Sequence, residues 1–209
     1  MLKLTRWMMW VVCVMGMQAG PLQAEEAQQP GDPMQLMKQA ITESVIQQGS
    51  PGEAHKALEL FAGNWNYVMQ YWMAPEAQPG SASGTSTINL MLGGRFLKHE
   101  VKGPSMVEGQ PPFEGVGFIG YDNLRKEYQT VWMDNMMTGM MRGSGSYDAA
   151  SKALLEQGDF SCPATGESHH GYRSTWKVVD ADHLLSETYF KTPEGKEFKS
   201  MEIRYTRSS

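Results

Sequence analysis

The sequence predicts a mainly β protein: a single, closed, antiparallel β-barrel of about ten strands, preceded by two short N-terminal helices. From Trp65 almost to the C-terminus, apolar and polar residues alternate with the period of two that is typical of strands. Short segments rich in Gly, Pro, Asp and Asn interrupt this alternation repeatedly. Many strands joined by short connections favour a meander that closes on itself.

The first 24 residues have the anatomy of a secretory signal peptide. Lys3 and Arg6 precede an uncharged apolar stretch, Trp7–Ala19, which is too short to span a membrane, and Leu22-Gln23-Ala24 offers a cleavage site. A lipoprotein signal does not fit, because Cys13 lies inside the apolar stretch and follows Val12 rather than a small residue. We therefore expect an exported protein, periplasmic or secreted, with no membrane span after cleavage.

Charge and cysteine content narrow the function classes. Cleavage after Ala24 removes two of the 18 basic residues and none of the 23 acidic ones, so the net charge falls from −5 to −7. This balance disfavours nucleic acid and anionic membrane surfaces as partners. Cys162 is then the only thiol, which precludes an internal disulfide. The remaining chain is long enough to form one domain with a substantial apolar core.

Two helices are predicted over residues 32–61, after a polar linker at 25–31. Asp32-Pro33 is typical of an N-cap followed by proline at the first helical position. Ser50 and Glu53 have the spacing of a capping box ahead of a second helix, Ala54–Phe61. We expect these helices to cover one open end of the barrel; a partner-binding role is the alternative.

The barrel is predicted over residues 62–207. In the first strand, Trp65, Tyr67, Met69, Tyr71 and Met73 share one face. The later strands are expected at Thr85–Leu92, Phe96–Lys102, Glu114–Tyr121, Glu127–Asp134, Met140–Tyr147, Ala153–Phe160, Tyr172–Val179, Leu184–Lys191 and Glu197–Thr206.

Particular motifs carry a family resemblance. Gly63-Asn64-Trp65 resembles the Gly-x-Trp of calycin and lipocalin barrels, whose tryptophan closes the barrel floor against an arginine from a late strand. This resemblance implies a barrel-closing role for Trp65, with Arg204 or Arg207 as its partner. The segments Leu90–Leu97, Gly120–Asp122, Trp132–Asp134 and Lys199–Arg207 are similar to the DUF1579 family, and the likeness spans roughly Leu58–Arg207.

The resemblance implies a fold rather than a reaction, because DUF1579 is a family of uncharacterised bacterial proteins with no established catalytic residues. The nitrobindins, haem-binding members of the wider calycin group, carry a Gly-rich motif after the Gly-x-Trp. Here Asn66-Tyr67-Val68-Met69 follows instead, so the resemblance does not imply haem, and the cofactor stays unknown.

Strand alternation places several polar and aromatic residues on shared faces. Trp132 and Asp134 share one face of their strand, and Glu187 and Tyr189 share one face of theirs. Glu202 and Arg204 lie two apart and can pair inside the barrel. If these faces turn inward, we expect a ligand site with aromatic walls and a few polar anchors. The predicted ligand-binding residues are Tyr121, Trp132, Asp134, Glu187, Tyr189 and Arg204.

Metal sites are weakly indicated. Met133–Met141 holds five methionines, whose thioethers suit Cu(I), although methionine is also a flexible filler of cores and turns. His169-His170 follows Gly166 and is expected in a surface turn, so no metal ligands are assigned.

Catalytic motifs are equally weak. Gly143-Ser144-Gly145-Ser146 lacks the frame of a nucleophile elbow, and its glycines favour a bend or bulge. No feature indicates that Cys162 is an activated thiol. We therefore expect non-catalytic capture and release of a small, partly apolar ligand. The alternatives are a protein interaction module of the cell envelope, an enzyme using barrel carboxylates or His99, and copper handling. An interior of roughly 300 Å³ or more favours ligand binding over the interaction module.

Overall fold

A computed structural model of the chain describes residues 32–163 and 165–208. The predicted signal peptide at 1–24 and linker at 25–31 lie outside the described residues. The chain divides into two compact units after Ile41, within the first helix, and the barrel belongs to the second unit. Among the described residues, no helix combines the length and the apolar character needed to cross a membrane.

The described chain contains two helices followed by ten strands. The helices are α1 (Pro33–Gly49) and α2 (Glu53–Glu59). The strands are β1 (Gly63–Tyr71), β2 (Gly80–Met91), β3 (Phe96–Gly103), β4 (Phe113–Asp122), β5 (Glu127–Asp134), β6 (Met141–Asp148), β7 (Ala153–Cys162), β8 (Glu167–Val178), β9 (His183–Lys191) and β10 (Glu197–Arg207).

The strands form a closed antiparallel barrel in which every strand pairs with its neighbours in sequence. The barrel closes where β1 pairs with β10, with Tyr67 opposite Tyr205 and Met69 opposite Ile203. The predicted fold class is thus confirmed. The meander needs no long crossover, which is why short turns were sufficient to predict it.

β2 and β8 were predicted too short, because each strand begins several residues before its apolar alternation does. β2 begins at Gly80 because its Ser- and Gly-rich start pairs with β1 along its whole length. Gly84 lies opposite Tyr67, whose ring leaves no room there for a Cβ atom. β8 begins at Glu167, so the prediction of a surface turn at His169-His170 is wrong. His169 is exposed and its Nδ1 donates a hydrogen bond to Asp159 Oδ2 at 2.7 Å, whereas His170 packs against the rings of Phe160 and Phe190.

The apolar residues of β1 alternate as predicted. Trp65, Tyr67 and Met69 are buried inside the barrel, and the intervening residues are exposed. Trp65, Phe61, Leu58, Ile88 and Leu97 are almost completely buried and form the tightly packed part of the core at the α2 end.

α2 covers this end of the barrel. Leu58 and Phe61 belong to the buried core, and the Phe61 ring lies 5.9 Å from the Trp176 ring. The helix begins differently from the prediction: Gly52 is the N-cap and its N–H donates to Nδ1 of His55, while the Ser50 hydroxyl donates to the Ile46 carbonyl. The Ser50/Glu53 capping box is therefore wrong. α1 contains no buried residue.

The barrel floor is closed by Trp65 and Arg207. The Trp65 side chain is 1% exposed, its Nε1 donates to the Phe61 carbonyl, and the Arg207 guanidinium lies 4.1 Å from the centre of its ring. Arg207 also donates to the carbonyls of Ala62 and Ala181. Of the two candidate partners of Trp65, the structure selects Arg207.

Candidate functional site

The barrel encloses a cavity of about 400 Å³ above the packed floor. It extends from the rings of His99 and Trp176 towards the loops at the opposite end, where Trp72, Met106 and Met136 line it. Its walls are mainly aromatic and aliphatic. They include Tyr67, Met69, Trp132, Trp176, Ile203 and Tyr205.

His99 is a deeply buried titratable group of the cavity wall, 5% exposed. It lies on the inner face of β3, where its Nε2 is 2.8 Å from the Ser86 hydroxyl of the paired strand β2. Its ring lies 4.9 Å from Trp176 and 5.4 Å from Trp132. Burial among these rings lowers the pKa of His99 to about 3, so the imidazole is neutral at physiological pH.

A carboxylate, Glu156, lies on the same inner wall. Alternation along β7 from the buried Leu154 turns Glu156 inward, where the Thr130 hydroxyl donates to its Oε1 at 2.5 Å. The Tyr172 hydroxyl donates to the same oxygen. Burial is the main cause that raises the pKa of Tyr172, followed by the negative charge of Glu156, and the phenol therefore stays protonated and donates.

Space for Glu156 comes from Gly143 on the neighbouring strand β6. A Cβ atom at Gly143 would lie 2.6 Å from the Tyr172 hydroxyl and 2.9 Å from Cγ of Glu156. From the sequence these glycines were predicted only to form a bend or bulge, and Glu156 was not among the predicted ligand-binding residues. The signal was available, since Glu156 is two residues from Leu154 on an alternating strand.

Trp132 and Asp134, two of the predicted ligand-binding residues, line the cavity. The Trp132 Nε1 donates to Asp134 Oδ2 at 2.9 Å, and the Met136 N–H donates to Oδ1 at 3.0 Å. Gly115 and Gly117 on β4 face the Trp132 ring, which leaves no room for a side chain at either position. The glycines of β4 thereby fix the plane of the indole.

Tyr121 lies at the other end of the barrel, away from the cavity lining. Its ring packs edge-on against His55 of α2 at 5.7 Å and against Tyr128 at 4.9 Å. The Tyr128 hydroxyl donates to the Ala54 carbonyl, which ties β5 to α2. These contacts make Tyr121 part of the floor packing.

The other three predicted ligand-binding residues lie on the outer surface. On β9, the inner positions are Leu184, Ser186 and Thr188, so Glu187 and Tyr189 face outward. The Tyr189 ring lies beneath the Arg173 guanidinium, 4.1 Å from it. The expected inward orientation of this face is therefore wrong.

Glu202 and Arg204 also face outward, because β10 directs Ile203 and Tyr205 into the barrel. Arg204 Nη2 lies 2.6 Å from Glu202 Oε1, and Lys199 contacts both Glu202 and Glu187. Hydrogen bonding from Lys199 is the main cause that lowers the pKa of Glu202. The predicted Glu202–Arg204 pair thus forms, but as part of an outer ionic network.

The methionine cluster is divided by the turn between β5 and β6. Met136 and Met141 line the cavity, whereas Met140 is half exposed. Cys162 is a free, partly buried thiol. Within the part of the chain that the structure describes, no group of three or more His, Cys, Asp or Glu side chains could hold a metal ion.

The charged side chains that line the cavity in the described chain are all acidic. The described lining residues include the carboxylates Asp134 and Glu156 but no lysine or arginine. Burial raises the pKa of Tyr67 and of Tyr205, so these phenols contribute no charge. The interior therefore presents hydroxyls, a neutral imidazole and negative charge.

Solved structures with the same fold are remote in sequence. One is Rv2717c from M. tuberculosis, with a TM-score of 0.54 and 14% identity, covering 77% of this chain and 100% of that chain. Another is the S-type phycobiliprotein lyase CPES from Guillardia theta, with a TM-score of 0.50 and 9% identity, covering 76% of this chain and 99% of that chain. A search of curated proteins gave no match.

Residues 50–207 match a family described as "Protein of unknown function", which spans α2 and all ten strands. This match agrees with the motifs at Leu90–Leu97 and Lys199–Arg207 that carried the resemblance in the sequence. The chain belongs to the DUF1579 family.

Proposed function

We propose that this protein binds a small, partly apolar molecule inside its barrel and releases it unchanged. The observation that carries the proposal is the cavity of about 400 Å³, which exceeds the roughly 300 Å³ typical of the smallest ligand pockets. A mainly apolar wall with a few polar groups is the usual composition of such pockets. A barrel filled by its own side chains would instead have favoured the interaction module.

Trp132, Trp176 and Tyr205 are the proposed apolar contacts. Their rings surround His99 on three sides, so a flat ligand can stack against indole and phenol faces. Asp134 keeps its proposed orienting role at the cavity wall. Glu187, Tyr189 and Arg204 make no proposed ligand contact because their side chains lie outside the barrel, and Tyr121 makes none because it packs at the floor.

Capture without chemistry fits the titratable groups of the wall. A histidine with a pKa of about 3 is a weak base at neutral pH, far below the range in which a general base is effective. The Ser86 hydroxyl is its only hydrogen-bonding partner among the described residues, and no acidic third group orients the ring.

Cavity filling tests the proposal. Ala82 faces the cavity on β2, whereas Val68 on β1 points to solvent and is 54% exposed. The neutral dye N-phenyl-1-naphthylamine is expected to bind the mature protein with an increase in its fluorescence. Ala82→Phe should weaken this binding at least tenfold, and Val68→Phe should leave it within about twofold. Equal affinity of both variants and the parent protein would place the dye outside the barrel and refute the proposal.

Export is proposed on sequence grounds alone. The charged start, the apolar stretch and Leu22-Gln23-Ala24 support cleavage and a periplasmic or secreted location. N-terminal sequencing of the protein recovered from cell fractions tests this directly. A mature N-terminus at Glu25 in the exported fraction is expected, and an intact Met1 in the cytosolic fraction would refute export.

A second candidate function is protein interaction through α1. Large apolar side chains of this helix are more than half exposed, namely Met34, Leu36, Met37, Ile41, Val45 and Ile46. Exposed apolar residues of this density are typical of contact surfaces. Replacement of Met37 and Val45 by lysine should abolish any self-association seen in sedimentation, while dye binding in the barrel should be unchanged.

A further inference from the structure

The interior carboxylate Glu156 has no cationic partner. Neither lysine nor arginine contacts it among the described residues, and its two hydrogen bonds, from Thr130 and Tyr172, both reach Oε1. Its Oε2 accepts no hydrogen bond within the described chain. The Glu156 side chain is half-buried rather than sealed from water, and Oε2 is therefore open to the cavity. An unpaired carboxylate that lines a cavity is available to a ligand.

We propose that the cavity selects ligands with a protonated nitrogen attached to a compact apolar or aromatic group, and that Glu156 is the counter-ion. This inference rests on the proposed binding function and specifies the ligand class. A cationic group near Glu156 gains a charge-assisted hydrogen bond from Oε2. An anionic ligand meets Glu156 and Asp134 without any compensating cation in the wall.

The aromatic walls lie at the right distance for such a ligand. Thr130 contacts Glu156 and is two residues from Trp132 on the same face of β5, which corresponds to about 7 Å along the strand. On β8, Tyr172 contacts Glu156. Ser174 lies between Tyr172 and Trp176 on the same inner face of this strand. A ligand with an amine next to one aromatic ring is long enough to contact Glu156 with the amine and a tryptophan ring with its aromatic group. The same indole faces attract a cation through their π-electrons.

The rest of the interior does not oppose a cation. His99 is neutral at pH 7, and the buried phenols keep their protons. The basic residues Lys199 and Arg204 are on the outer surface and bind Glu187 and Glu202 there. A positive ligand therefore encounters only neutral and negative groups in the cavity.

Three probes of similar size and different charge test the inference. 2-Phenylethylamine, 2-phenylethanol and phenylacetate are each titrated at pH 7 against the protein loaded with N-phenyl-1-naphthylamine. We expect the amine to displace the dye at concentrations at least tenfold lower than the alcohol, with phenylacetate the weakest. Equal displacement by all three overturns the inference but leaves the binding function intact. If the dye itself does not bind in the barrel, the proposed function fails as well.

Glu156→Gln identifies the group responsible. Glutamine keeps an oxygen acceptor for Thr130 and Tyr172 but has no charge, so dye binding should persist while the amine-to-alcohol preference falls to within about threefold. The control is Glu100→Gln, which removes a carboxylate that is paired with Lys98 at 2.9 Å and is absent from the cavity lining. An unchanged preference in Glu156→Gln, or an equal loss in Glu100→Gln, overturns the assignment. The three probes on the parent protein decide the ligand class even if Glu156→Gln fails to fold.

Discussion

Burial of His99 makes the stability of the barrel depend on pH in a defined direction. The pKa of this side chain falls from its ordinary value of 6.5 to about 3 in the folded protein, because the ring lies inside the barrel, 5% exposed, among aromatic side chains. The unfolded chain therefore binds one more proton than the folded chain between these two pKa values. Stability contributed by the neutral ring is fully present above pH 6.5 and is lost as the pH falls towards 3.

The size of this effect follows from the two pKa values. Between pH 7 and pH 5, protonation of the unfolded histidine lowers the free energy of unfolding by about 2 kcal/mol, and by pH 4 the loss reaches about 3 kcal/mol. For a chain of this length, a loss of about 2 kcal/mol corresponds to a decrease in Tm of roughly 4–8 °C.

The measurement is urea-induced unfolding of the parent protein and of His99→Gln at pH 7, 6, 5 and 4. Glutamine can still bond to the Ser86 hydroxyl but does not titrate in this range. Exposed histidines and carboxylates affect both proteins alike, so the difference between their pH profiles isolates His99. We expect the parent protein to lose about 2 kcal/mol more than the variant between pH 7 and pH 5. Parallel profiles would refute the assignment of a neutral, buried imidazole.

Two further predictions concern the floor and the cavity wall. Arg207→Ala should lower stability by about 1–2 kcal/mol, because it removes the cation above Trp65 and two hydrogen bonds to carbonyls. Arg204→Ala should cost less than about 1 kcal/mol, because the Arg204 side chain is largely exposed and the buried Glu202 keeps Lys199 as a partner. Chemical denaturation of both variants checks the order, and the reverse order would exclude Arg207 as the floor partner. Gly143→Ala should fold but weaken amine binding, because its Cβ atom displaces the flexible Glu156 side chain. Gly158→Ala should be destabilised by more than about 2 kcal/mol, because its Cβ atom meets the backbone of β6. Thermal unfolding and probe titration distinguish the two variants, and similar stabilities would contradict this account of the glycines.

Most of the fold was predictable because the barrel is built from local patterns. Each strand pairs with its sequence neighbours, so alternation and turn residues determine the order without knowledge of long-range contacts. The errors lie where local pattern is weak. The Ser- and Gly-rich start of β2 has no apolar alternation, yet it pairs with β1 as a strand, and a Cβ atom at Gly84 would meet the Lys102 carbonyl and the Tyr67 ring.

Of the predicted site faces, that of β5 lines the cavity, whereas those of β9 and β10 turn outward and Tyr121 of β4 packs at the floor. On β5 the aromatic Trp132 indicated the inner face, as it usually does in a packed core. On β9 the inner positions carry the small hydroxyl residues Ser186 and Thr188 while the outer face carries the larger Tyr189, so the aromatic side chain did not mark the inner face. Small hydroxyl residues inside a barrel are expected only if the interior is hollow. Because the barrel is hollow at β9, small residues face inward there, and the position of an aromatic residue did not predict which face of the strand turns inward.

Glu156 was not predicted as a site residue because the space that accommodates its carboxylate comes from a glycine on the neighbouring strand. The glycines of β6 were predicted to form a bend or bulge, yet Gly143 provides the volume occupied by Glu156 and by the Tyr172 hydroxyl. A side chain at Gly143 would fill that volume and press on the carboxylate. The donors at Thr130 and Tyr172 then hold Oε1, and Oε2 has no partner within the described chain. Packing of the barrel does not require a carboxylate here, because neither carboxylate oxygen contacts a lysine or arginine of the described chain. The proposed cationic ligand would be the partner of Oε2, so the selectivity for protonated amines, rather than binding as such, is the decisive property to measure.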